Sequence, residues 1–213
     1  MKKRILWKLF IVFALIIGLY PMLYFLIDRK FGLLQTKSDE LLSNTIWNIT
    51  FYTHIILGGI ALLIGWIQFS LKIRNKNIQL HRTIGKIYVI SVLLSAIAGI
   101  YIGAFATGGL WSSIGFICLA LFWFISTFIG YRAIRKGKIS SHHKMMIYSY
   151  AACSAAITLR LWLPLLIIIT SDFITAYRIV AWMCWIPNVF VAYFLVKQLT
   201  KKKGDDNLVI ENN

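Results

Sequence analysis

A chain of 213 residues that is 59% hydrophobic and only 14% charged does not have the composition of a soluble domain. Its formal net charge of +16 would suggest nucleic acid in a soluble protein, but here the cations are clustered between long apolar runs. The three cysteines, Cys118, Cys153 and Cys184, all fall inside those runs without Cys-x-x-Cys spacing, so they read as small packing residues and exclude a disulfide framework.

The first element is an apolar run over Ile5–Ile27 behind Met-Lys-Lys-Arg. It resembles a signal peptide, yet it is too long and lacks a small-residue cleavage site, which predicts a retained helix. The polar stretch Asp28–Asn48 follows, with Asp39, Glu40 and Trp47, and suits a short interfacial helix. Further spans are predicted over Thr50–Leu71, Gly85–Thr107, Ser113–Ile134, Met145–Ile169 and Ile174–Val196, each near the 20 or so residues that cross about 30 Å of hydrocarbon. Pro164 and Pro187 predict kinks in the fifth and sixth. The polar tail, 204–213, reads as disordered and cytoplasmic. That leaves 1–203 as a single bundle with its core at 50–170 and no soluble domain. The expected fold is all-α, a polytopic membrane bundle of six transmembrane helices.

The cations orient it. Lys2, Lys3, Arg4 and Lys8 precede or open the first span, and Lys72, Arg74, Lys76, Arg82 and Lys86 lie between the second and third. Arg132, Arg135, Lys136, Lys138 and Lys144 lie between the fourth and fifth, and Lys197, Lys201, Lys202 and Lys203 close the sixth. All four clusters share one side, which the positive-inside rule makes cytoplasmic, with both termini in. Topology and contact with anionic lipids of the cytoplasmic face account for the charge, and no nucleic-acid partner is needed.

Between Glu40 and Asp172 there is no Asp or Glu, which excludes a carboxylate proton relay or carboxylate metal site within the four central helices. The remaining candidates are His54, His81, His142, His143, Arg160 and Gln68. At 100° per residue, His54, Gly58, Ala61, Gly65 and Gln68 share one helix face. His81, Gly85, Tyr88, Ser95 and Gly99 share another, and His142, Met146, Ser149, Cys153, Ala156 and Arg160 a third. Such stripes either let helices pack closely or line a cavity. Arg160 stands out, because fifteen residues into the fifth span it lies roughly 20 Å from the cytoplasmic end. A charge there costs several kcal/mol unless it is paired, wetted or snorkelled outward, and Asp172 is the acidic residue next along the chain. By topology, His81, His142, His143 and Gln68 meet the cytoplasmic side, and His54 and Arg160 share the outer half.

Two passages carry a resemblance. His54-x-x-x-Gly58 continues to Gly65-x-x-Gln68 and His81-Arg82-x-x-Gly85-x-x-Tyr88, and His142-x-x-x-Met146 runs through Tyr150 to Thr158-Leu159-Arg160 and Pro164. Over about Phe51 to Leu166 they resemble the domain-of-unknown-function family 2306, predicted bacterial membrane proteins without an established activity. The resemblance implies a multi-pass protein of the bacterial cytoplasmic membrane. The first passage is also distantly similar to cytochrome b561-type bundles, in which histidines on antiparallel helices hold haem b. That likeness implies His81 and His142 as axial ligands of one haem, with glycines clearing a slot for the macrocycle, while His54 has no histidine partner for a second.

Three functions stay open. One is a redox protein with haem b at His81 and His142 and a quinol-like molecule at His54 and Arg160. Another is a binding or transport protein in which Arg160 captures an anionic lipid or small molecule, with His54 and Gln68 as further ligand-binding residues and the helix starts at His81 and His142 supporting phosphate-like groups through free N–H donors. The third is a structural or sensory partner without chemistry of its own. Hydrolase nucleophiles, phosphate loops and Cys/His zinc spacing are absent from the sequence.

Overall fold

The computed structural model describes residues 2–27 and 30–211, with side chains for 4–27 and 30–201. Six helices are long and apolar enough to cross a membrane: α1 (Arg4–Leu26), α2 (Thr45–Phe69), α3 (Ile78–Gly103), α4 (Leu110–Arg135), α5 (Ile139–Thr170) and α6 (Phe173–Lys201). The expected all-α bundle is therefore what the chain forms. The expectation for the tail 204–213 falls outside the residues whose side chains are described.

α3 and α5 begin about one to two turns before their apolar runs. Hydropathy does not register a polar first turn, but capping stabilises one: the Asn77 side chain accepts from the Leu80 N–H at 2.9 Å. The N–H groups of His81 and His142 themselves donate to Asn77 O and Lys138 O at 3.2 and 3.0 Å, so open main-chain donors at these helix starts are those of the residues before them. In the stretch after α1, a helix forms over Asp39–Ser43 with Ser38 as its cap, as its polar composition suggests.

α2 packs along α3, α3 along α4, and α4 along the first half of α5, while α1 lies on α2. The stripe of α2 is packing surface. A Cβ on Gly58 would meet Ser95 Oγ at 3.2 Å, and one on Gly65 would come within 2.3 Å of the Tyr150 ring. Among such close contacts, buried hydroxyls find partners. Tyr88 Oη and Thr127 Oγ1 meet Ser149 Oγ at 2.8 and 2.6 Å, and Tyr150 Oη donates to Leu62 O at 3.1 Å. Outward, Ile90, Leu94 and Ile97 of α3 and Ile168 and Ile169 of α5 stand exposed, an apolar surface that suits hydrocarbon and not water.

Two helices are broken near their middles. α5 is interrupted at Ser154 and α6 between Met183 and Ile186. The expected kink at Pro187 fits, since that residue lies in the first turn after the α6 break, where its missing N–H is harmless. Pro164 is different: it lies inside the continuous segment Ala155–Thr170, and the interruption comes earlier, at Ser154. The two breaks face each other and satisfy one another. Asn188 Nδ2 lies 3.1 Å from both Ser154 Oγ and Thr158 Oγ1 and 3.0 Å from Cys184 O, and Thr158 Oγ1 donates to Cys184 O. Freed backbone carbonyls in a membrane interior thereby keep donors.

Candidate functional site

The basic clusters gather at one end of the bundle and Arg160 lies toward the other. There the segment between α1 and α2 folds inward. Gly32 adopts φ +58°, and a Cβ on it would lie 3.1 Å from Tyr20 Oη and 3.4 Å from Tyr24 Oη, so this left-handed turn with no side chain seats the segment on the two hydroxyls. Leu34 is buried with Tyr24, Trp47 and Phe51. The segment is tied to the α3–α4 connection, where Thr36 Oγ1 meets Thr107 Oγ1 at 2.8 Å and Lys37 Nζ donates to Phe105 O and Thr107 Oγ1 at 2.5 and 3.0 Å.

Beneath this cover, the Arg160 guanidinium stacks on Tyr20, 4.2 Å from its ring centroid, and donates through Nη1 to Ala156 O at 3.0 Å. Tyr24, Tyr177 and His54 lie within its electrostatic reach. No carboxylate among the described residues lies within salt-bridge distance of it; Asp28 is outside them. Asp172, the partner considered from sequence, is used elsewhere: its Oδ2 accepts from Thr175 N at 2.7 Å as the cap of α6. One turn beyond Arg160, Pro164 has no N–H to give the Arg160 carbonyl.

His54 is held against α3. Its Nδ1 lies 2.8 Å from Ser95 O, Ser95 Oγ donates to His54 O at 2.9 Å, and a Cβ on Gly99 would press on the imidazole at 3.0 Å. An Nδ1–H donating to the carbonyl leaves Nε2 as the acceptor.

At the basic end, Gln68 reaches across to α3, with its Oε1 where a Cβ on Gly85 would come within 3.3 Å. Among the described residues its Nε2 is buried with no hydrogen-bond partner, and so is Nδ1 of His81, one turn before Gly85. Arg74, His142 and Arg82 are the charged groups acting on His81, in that order. His142 Nδ1 lies 2.9 Å from Gly130 O, which leaves its Nε2 unused. His143 is exposed on the adjacent side of the helix. Sequence reasoning brought Gln68, His81 and His142 to one end, and the structure gathers them. It places His54 and Arg160 together at the other end.

A family model described as "Predicted membrane protein (DUF2306)" matches residues 51–196, most of the chain. The chain belongs to the DUF2306 family. Comparison with curated proteins and with solved structures gives no match. The matched region runs beyond Leu166 through most of α6, so the DUF2306 unit includes both broken helices and the Asn188 clamp that joins them.

This DUF2306 bundle meets only part of what a haem needs. The His142 ring has the Nδ1-to-carbonyl bond that commonly orients a ligating histidine. The glycine slots, however, are filled: Gln68 covers Gly85, and Ser95 covers Gly58. Gln68 thus lies on the Gly85 face that a macrocycle at His81 would use. Two grooves on the lipid-facing surface, one lined by Asn48, Tyr52 and Ile56 and one by Tyr148, Trp185 and Phe190, contain none of the candidate residues. Sequence reasoning missed Tyr20 as the partner of Arg160, and Tyr24 and Tyr177 as groups within its electrostatic reach. Tyr20 and Tyr24 are four apart on α1 and so share a face, but Tyr at a span end reads equally as an interfacial anchor.

Proposed function

We propose that this multi-pass membrane protein binds an anionic lipid headgroup or small anionic molecule at Arg160, in the half of the membrane away from the basic end. The positive-inside rule puts the basic end in the cytoplasm, and the site then serves the outer leaflet of a bacterial cytoplasmic membrane. One observation carries the reading: Arg160 holds a permanent charge in the bundle with one hydrogen bond for five N–H donors and no carboxylate among the described residues. A cation in that setting costs several kcal/mol unless an anion meets it. Tyr20 fixes one face of the guanidinium, and Tyr24 and Tyr177 add hydroxyl donors nearby. The planar fork suits bidentate contact with a carboxylate or phosphate.

The experiment is lipid and metabolite analysis of full-length protein purified in mild detergent, as wild type, Arg160→Gln and Asp28→Asn. An anionic species is expected with wild type and Asp28→Asn and lost from Arg160→Gln. Identical bound material in all three sinks the proposal.

The alternative, a redox protein with one haem b at His81 and His142 and a quinol-like molecule at His54 and Arg160, draws support from the orientation of the His142 ring. It requires Gln68 to leave the face of Gly85. An absorption spectrum of protein expressed with haem supplied, taken before and after dithionite, decides it: without a Soret band the reading is lost.

A further inference from the structure

At the basic end, unmet hydrogen-bonding groups from separate elements converge. Gln68 comes from the last turn of α2, His81 from the first turn of α3, and His142 from the first turn of α5. Gln68 Nε2 and His81 Nδ1 are both shut off from solvent and both without a partner among the described residues. A buried polar group left unpaired costs about 1–3 kcal/mol, so two in one place call for an explanation beyond packing. The nature of the missing partner follows from what surrounds it. The Gln68 amide nitrogen can only donate. Arg74 is the strongest charge acting on His81 and Arg82 is also within reach, while no Asp or Glu occurs between Glu40 and Asp172. Such surroundings repel a metal cation, and the amide nitrogen is no metal ligand. A haem would require Gln68 to leave the face of Gly85. An oxyanion meets these requirements: it offers acceptors to Gln68 Nε2 and to the His81 ring, and its charge answers the surplus of cations.

We propose that Gln68, His81 and His142 form a binding site for a phosphate group at the basic end of the bundle, separate from the Arg160 site. Its side chains do the binding, because the N–H groups of His81 and His142 are already taken by Asn77 O and Lys138 O. The His142 ring is fixed by Gly130 O, 2.9 Å from its Nδ1. Two sources share this chemistry: the phosphodiester of a phospholipid headgroup in the adjoining leaflet and a free phosphate or phosphorylated solute.

The test uses full-length protein in nanodiscs of phosphatidylcholine, as wild type, Gln68→Glu, His81→Gln and Arg160→Gln. Gln68→Glu keeps the side chain's size while turning a donor into an anion, so it isolates the chemistry from the packing; circular dichroism and gel filtration check that each variant is folded. Inorganic phosphate binding is followed by isothermal titration, and retention of phosphatidylglycerol against phosphatidylcholine by native mass spectrometry. Each change is also made in Arg160→Gln, where the binding that remains is assigned to this site and the binding lost belongs to the Arg160 site. Gln68→Glu and His81→Gln should lose at least about tenfold in affinity, the worth of one charge-assisted hydrogen bond. Saturable titration by inorganic phosphate identifies a soluble source, and retention of phosphatidylglycerol alone identifies a headgroup. The proposal is overturned if neither ligand binds, if a folded Gln68→Glu made in Arg160→Gln binds as tightly as Arg160→Gln itself, or if purified protein carries a haem spectrum lost in His81→Gln. Loss of all binding in Arg160→Gln alone would also overturn it while leaving the Arg160 reading intact.

Discussion

Gly65→Ala asks whether the small residues of α2 are an interface or the wall of a cavity. The added methyl would sit 2.3 Å from Tyr150 Cε2, 2.6 Å from its Cδ2 and 2.9 Å from Tyr88 Cε2. Ordinary carbon contacts lie at about 3.5–4.0 Å, so the Tyr150 ring must retreat by about 1.2 Å or more. It has no free direction, since Phe10, Phe69 and Tyr88 pack around it and its hydroxyl is tied to Leu62 O at 3.1 Å. Overpacking of this kind costs about 3 kcal/mol, and a strained or broken hydroxyl bond adds about 1 kcal/mol. For a chain of this length that corresponds to a drop of about 10 °C in Tm. Thermal melts of detergent-purified protein measure it, with Gly58→Ala as comparison, because there the methyl meets only a Ser95 hydroxyl at 3.2 Å and the cost should be about 1 kcal/mol. Gly65→Ala with Tyr150→Leu should recover most of the loss by making room. The reasoning fails if Gly65→Ala and Gly58→Ala melt together, which would mean open space beside Gly65.

Asn188→Leu keeps volume but removes the amide that spans the two helix breaks, and should cost about 2 kcal/mol. Faster hydrogen exchange across Ser154–Thr158 is the expected sign, and unchanged exchange there would refute the clamp. Lys37 is outside the spans, and burial holds its pKa at about 8 against an ordinary 10.5. Between those values the unfolded chain binds more protons than the folded one, so stability should rise with pH through that window. The difference between wild-type and Lys37→Met melts from pH 7.5 to 10.5 reads this, and a constant difference counts against it. Asn77→Ala, losing the cap of α3, should lower stability by about 1 kcal/mol, visible as a Tm shift that a neutral change at exposed Lys76 does not produce.

The sequence by itself determined the solvent and the number of crossings, because lipid selects long apolar runs whatever they pack against, and it determined the absence of internal carboxylates. It also grouped Gln68, His81 and His142 at one end and His54 and Arg160 at the other, since alternation of antiparallel spans fixes the end at which a residue lies. Where the spans begin was less legible: the polar first turns of α3 and α5 form through capping and main-chain bonds that hydropathy ignores. Tertiary structure alone decided what each face meets. Gly58 and Gly65 have the spacing of a cavity wall and of an interface alike, and only the neighbours Ser95 and Tyr150 choose between them. The breaks at Ser154 and before Ile186 depend on Asn188 and Thr158 supplying donors across two helices, which a proline count in either helix does not reveal. Arg160 was conspicuous as a charge in a span, but its partner Tyr20 and the nearby Tyr24 and Tyr177 come from α1 and α6, far apart along the chain. A contact between distant segments is a property of the packed bundle, because helix periodicity tells which residues share a face and not which helix lies against it.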